Sequence, residues 1–143
     1  MSARLEPEAI RVTAVIVGWL VDTLSTAVAS IPLLAAYGVD PNDQAGLDRL
    51  NDVPDFLLAS LVVGLACTLA GGFVAGHLAR GAEVRHAVAM GVASAGSALL
   101  LALTGEGGPP VWYLAIGTAL TVPAAALGGV ARERTRVEAG KIN

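Results

Sequence analysis

Few side chains in this sequence could do chemistry, and they lie far apart. One carboxylate, Asp22, interrupts the first long apolar run, about ten residues past Val12. At 1.5 Å of helix rise per residue that is about 15 Å in, close to the middle of a hydrocarbon layer about 30 Å thick. An unpaired carboxylate at that depth costs at least a few kcal/mol, so Asp22 has to face a protein interior or a wet cavity, or carry a proton. Thr68, Thr121, Ser94, Ser97 and Cys67 fall at similar depth in the other apolar runs, whereas no Lys or Arg does. Two roles are open to Asp22 with Thr68 and Thr121. The acid is either a hydrogen-bonding post that holds helices together or a proton or cation site on a transport path.

The remaining polar residues point to less. His77 and His86 are the only histidines, with Arg80, Glu83 and Arg85 between them. A metal site needs three or four ligands, and this cluster falls short, so no metal and no cofactor are expected. The spacing reads as a membrane edge, where basic side chains favour anionic headgroups. Cys67 is the single cysteine and lies inside an apolar run, so it forms no intrachain disulfide and reads as a small buried hydrophobe. Asp40, Asn42, Asp43, Asp48, Asp52 and Asp55 gather in one segment, without the glycine and closing glutamate of a calcium loop, and read as a solvated acidic cap. There is no phosphate-binding glycine loop at a strand–helix turn, no nucleophile matched in depth with a base, and no facing pair of carboxylates. The expectation is a protein that is not an enzyme.

Those residues have to be positioned by apolar elements. The chain has 143 residues, 55% of them apolar and 15% charged, with a net charge of -3. Its mean hydropathy is +0.67. A soluble domain carries roughly 25% charged residues. This balance excludes a disordered chain, a disulfide-stapled miniprotein and an ordinary soluble enzyme, and it offers no basic footprint for nucleic acid.

Four apolar runs, at about 12–37, 55–80, 86–104 and 111–132, are each long enough to cross a bilayer. They predict an all-α integral membrane protein: one domain over 1–143, folded as a four-helix bundle, with membrane lipids as its surroundings. Ala27-Val28-Ala29 resembles a signal-peptidase site, but the run is longer than the ~7–15 residues of a signal core and Glu6 and Glu8 precede it, so an uncleaved helix is expected. Gly38 is a candidate helix C-cap, Pro54 suits a first turn, and the segment 43–50 reads as a short surface helix with Leu47 and Leu50 on one side. Trp112 and Tyr113 are expected at the membrane interface. Pro123 should bend the fourth helix.

Charge sets the expected orientation. Eight of the nine basic residues precede the first run, lie between the second and third, or follow the fourth; Arg49 alone lies in the 38–54 loop. The positive-inside rule then places both termini in the cytoplasm and the acidic loop 38–54 outside the cell inner (plasma) membrane.

Small residues pattern the helices. Ser60, Gly64, Thr68, Gly72 and Gly76 recur every four residues on the second run. Gly18, Asp22, Thr26 and Ser30 do so on the first, and Gly117, Thr121, Ala125 and Gly129 on the fourth. Gly18, Gly64, Gly72, Gly76, Gly117 and Gly129 are therefore candidate helix-packing positions, because small side chains let backbones approach in lipid. The second and fourth runs align at an offset of 53, and the first and third at 73, which leaves open either two tandem helical hairpins or chance likeness between glycine-rich helices. These stripes either pack one copy or meet a second copy or a larger membrane partner.

Gly71-Gly72-Phe73-Val74-Ala75-Gly76-His77-Leu78-Ala79, with His86-Ala87, Gly91 and Leu127-Gly128-Gly129, resembles small prokaryotic four-span membrane proteins of uncharacterised function. The resemblance implies a four-helix membrane domain and no activity. The small multidrug-transporter pattern, with a glutamate in its first span, is not matched. The functional expectation is a non-enzymatic oligomeric or accessory structural subunit, with a small oligomeric channel or proton- or cation-coupled transporter built on Asp22 as the alternative.

Overall fold

The computed structural model describes residues 10–79, 81–104 and 108–141, and of Lys141 the backbone alone. Among these residues there are five helices and no strand: α1 (Val12–Ala36), α2 (Gln44–Leu50), α3 (Pro54–Ala79), α4 (Glu83–Thr104) and α5 (Val111–Lys141). α1, α3, α4 and α5 are long and apolar enough to cross a membrane. Arg4, Arg80 and the turn at 105–107, which the sequence reading used for orientation and topology, lie outside the described residues.

The helix ends follow local chemistry. Gly38 takes a φ of +69°, the left-handed conformation of a residue just past a helix. Its N–H bonds Ala35 O at 3.0 Å and the Val39 N–H bonds Leu34 O at 3.1 Å, which closes α1. Asp43 caps α2 by accepting from the Gly46 N–H at 3.1 Å, and the helix buries Leu50. Pro54 opens α3, where its missing N–H is not needed. Tyr37 and Phe56 meet edge to face at 5.3 Å and tie the end of α1 to the start of α3.

Two boundaries differ from expectation. α4 begins at Glu83, about one turn before the apolar run, and α5 continues to Lys141, well past Arg132. Hydropathy marks what a bilayer can cover, not where backbone hydrogen bonding stops. The Arg- and Glu-containing tail after Arg132 has no breaker before Gly140 and remains helical. α5 also runs uninterrupted through Pro123.

α3 packs against each of the other three long helices, α1 packs mainly on α3, and α4 on α5. α3 and α5 run parallel in the 53-residue register. Ser60 Oγ lies 3.0 Å from Tyr113 Oη. Further along, a Cβ on Gly72 would fall on the Ala125 carbonyl, and one on Gly76 would lie 3.5 Å from the Gly129 Cα. Each pair is 53 residues apart in sequence.

The core is made of small residues around one methionine. Ala75, Met90 and Ala125 are fully buried, with Val15 and Trp19 packed against them. A Cβ on Gly18 would lie 2.8 Å from the Gly71 carbonyl oxygen, and one on Gly71 2.7 Å from the Gly18 carbonyl oxygen, so α1 and α3 touch through backbone. Gly91 meets Ala125 and Val122, Gly128 meets Leu69 and Phe73, and Gly129 meets Ala87 and Val84 in the same way. All these contacts lie between the level of Asp22 and the α3–α4 turn. That half of the bundle is closed backbone to backbone. On the other side, Val12, Ile16, Leu20, Leu24, Val28 and Ile31 form an exposed apolar stripe on α1, suited to lipid.

Candidate functional site

Asp22 turns inward and is 7% exposed. Gly18, one turn earlier on α1, permits this placement, because it draws α1 onto α3 at Gly71 and leaves no room for solvent there. The carboxylate accepts two hydroxyl hydrogen bonds from two other helices. Thr68 on α3 donates to Oδ1 at 3.0 Å. Ser94 on α4 donates to Oδ2 at 2.6 Å, within the range of a charge-assisted bond. A second polar contact runs beside the first: the Trp19 indole N–H donates to Ser97 Oγ at 3.3 Å, and the Ser97 hydroxyl donates to Ser94 O at 2.9 Å. Three helices are therefore joined at one level by a single acid.

Above this level, toward the 38–54 loop, the bundle does not close. A cavity of about 550 Å³ lies there, and Asp22, Thr68 and Ser94 line it. Thr121 lines it too, but its hydroxyl donates to Gly117 O at 2.8 Å on its own helix and not to Asp22. Leu61, Leu65, Leu101 and Leu114 supply apolar wall. Ser60 and Tyr113, paired across α3 and α5, line the cavity nearest the loop. Tyr113 is thus half-buried and turned inward, while Trp112 is exposed.

The candidate packing glycines divide between the two halves. Gly18, Gly72, Gly76 and Gly129 lie in the closed half, where an added Cβ would meet a neighbouring helix or Glu83. Gly64 and Gly117 do not pack in this way. A Cβ on Gly64 would meet nothing within 4 Å, and one on Gly117 would only touch Leu61 Cδ1 at 3.6 Å. Both line the cavity. The four-residue stripe of α3 is continuous in sequence, but it meets neighbouring backbone at Gly72 and borders the cavity at Gly64.

A second polar cluster lies at the α3–α4 turn, and the sequence reading of it needs correction for His86. His77 is exposed, as a membrane-edge residue would be. His86 is buried. Its Nε2 accepts the Arg11 N–H at 2.8 Å, and its Nδ1 lies 3.0 Å from Ala82 O. The neutral ring with its proton on Nδ1 satisfies both contacts, so His86 caps the start of α1 from another helix. Glu83 is 3% exposed and pairs with Arg136 at 2.9 Å, which fixes the extended end of α5 against the turn. Arg132 Nε is buried there without a hydrogen-bond partner among the described residues. The signal for this cluster was present in the spacing: Glu83, His86, Met90 and Ser94 continue one helical face toward the start of α4.

Among the described residues, no three His, Cys, Asp or Glu side chains converge as a metal would require. Compared with protein-family models, curated proteins and solved structures, the chain matches none.

Proposed function

We propose that the chain is a non-enzymatic membrane component, an oligomeric or accessory structural subunit of a prokaryotic inner membrane, with both termini in the cytoplasm. The observation that carries this reading is the backbone-to-backbone seal between Asp22 and the α3–α4 turn. Among the described residues the glycine contacts close the bundle between Asp22 and the α3–α4 turn, and the acid itself is engaged in joining helices. Arg11, Arg85, Arg132, Arg134 and Arg136 all lie at the sealed end, which supports the cytoplasmic placement of that end. Association is supported by α4, where Ala93 and Gly96 are exposed small residues; a Cβ on Gly96 would meet nothing within 4 Å.

Native mass after transfer into lipid nanodiscs tests the reading. A defined multiple of 14.4 kDa, or a complex with another protein, is expected. Gly96→Leu should reduce that assembly. A strict monomer in both forms would overturn it.

The cavity favours one second reading, a proton- or cation-coupled channel or transporter that uses Asp22, since the acid lines it. Asp22→Asn separates the two. Kept assembly with lost flux supports transport, and lost assembly with no flux in the parent supports structure.

A further inference from the structure

We propose that the cavity above Asp22 is a binding site for a small organic cation, a primary ammonium on a short apolar body. This goes beyond the structural role and does not depend on the assembly state. About 550 Å³ is within the ~300–1,000 Å³ typical of small-molecule sites. The site has one polar end and apolar walls. Asp22 is the formal charge among its lining residues, none of which is Lys, Arg or His. A buried carboxylate without a counter-charge is costly, and a ligand cation relieves that cost.

Acceptor capacity agrees with this. A carboxylate offers about four lone-pair positions, and Thr68 and Ser94 occupy two of them. The rest are free for donors from the cavity side, where an ammonium carries three. The two hydroxyls hold the acid in place, so no reorganisation is needed when the ligand arrives. Leu61, Leu65, Leu101 and Leu114 then cover an apolar body, and the rings of Trp19 and Tyr113 also line the space. The glycine contacts close the side toward the α3–α4 turn.

The test uses the full chain in nanodiscs and two probes, 2-phenylethylammonium and the uncharged 2-phenylethanol, titrated calorimetrically at neutral pH. Saturable binding of the ammonium is expected, with the alcohol weaker by roughly tenfold or more, as a desolvated charge pair implies. Gly64→Phe and Gly117→Phe put a ring at cavity-lining positions where an added Cβ meets no neighbouring backbone within 4 Å, and should each remove binding. Val62→Phe, at a position 67% exposed on the outer face of α3, should bind as the parent does. Asp22→Asn should lose the preference for the ammonium; if that variant does not fold, the probe pair and the two glycine variants decide. Equal binding of the two probes, no saturable binding by the parent chain, or full binding by both glycine variants would each overturn the proposal.

Discussion

Ser94 on α4 donates to Asp22 on α1 at 2.6 Å, and this contact joins two helices that Trp19 and Ser97 link beside it. With Thr68 it makes the acid a three-helix joint. Ser94→Ala and Thr68→Val should each destabilise the bundle. Interhelical hydrogen bonds in membranes contribute about 0.6 kcal/mol on average and up to about 1.7, and the short charge-assisted bond of Ser94 belongs at the upper end. Reversible unfolding in mixed micelles measures this. In an Asp22→Ala background the Ser94→Ala change should cost clearly less, because only the weaker contact to Met90 Sδ at 3.4 Å remains. An unchanged cost there would show that Ser94 acts through packing alone.

Gly64 and Gly72 share one stripe of α3 and should respond oppositely to the same methyl group. A Cβ on Gly72 falls on the Ala125 carbonyl, which is backbone and cannot rotate away. Gly72→Ala should therefore cost about 1–3 kcal/mol, the range of overpacking. Gly64→Ala meets nothing and removes a helix-weakening glycine, so it should be neutral or stabilising by up to about 1 kcal/mol. Thermal unfolding of the two variants in one detergent gives the comparison. Similar melting temperatures would mean that α3 and α5 are not in contact at Ala125.

These two glycines also show how much of the site could be read from sequence. Period-four small residues mark the inward face of a helix, and the same face at Asp22 indicated an inward acid. Depth arithmetic brought Thr68 and Ser94 to the level of Asp22. What spacing does not contain is how far apart two helices stand at each level. That depends on contacts summed over the bundle, such as Met90 filling the core and Gly18 lying on Gly71. The stripe therefore could not show that Gly72 is packed and Gly64 faces a cavity. His86 was misplaced for a related reason: polarity near a helix start suggests water or headgroups, whereas here a neighbouring helix start supplies the N–H that the ring needs.

Orientation can be tested apart from assembly. Cys67 is the single cysteine, so Cys67→Ala gives a clean background. In intact cells, Asn42→Cys in the acidic loop should react with a membrane-impermeant maleimide, and Glu138→Cys near the end of α5 should react only after the membrane is opened. The reverse pattern would place the basic, sealed end outside.

His86 should control the start of α1 and little else. Its Nε2 takes the Arg11 N–H at 2.8 Å, at a helix end with no side-chain cap of its own. His86→Ala removes that acceptor and leaves a part-buried donor unsatisfied, a loss of up to about 1–3 kcal/mol if water does not replace the ring. The first turn of α1 can escape much of this by fraying. Amide hydrogen exchange should therefore speed up at the first turn of α1, while the amides around Asp22 keep their protection. His86→Gln, which can present an oxygen to the same N–H, should restore part of the effect. If exchange instead rises evenly along α1, the ring supports the whole helix through packing, and the cap is incidental.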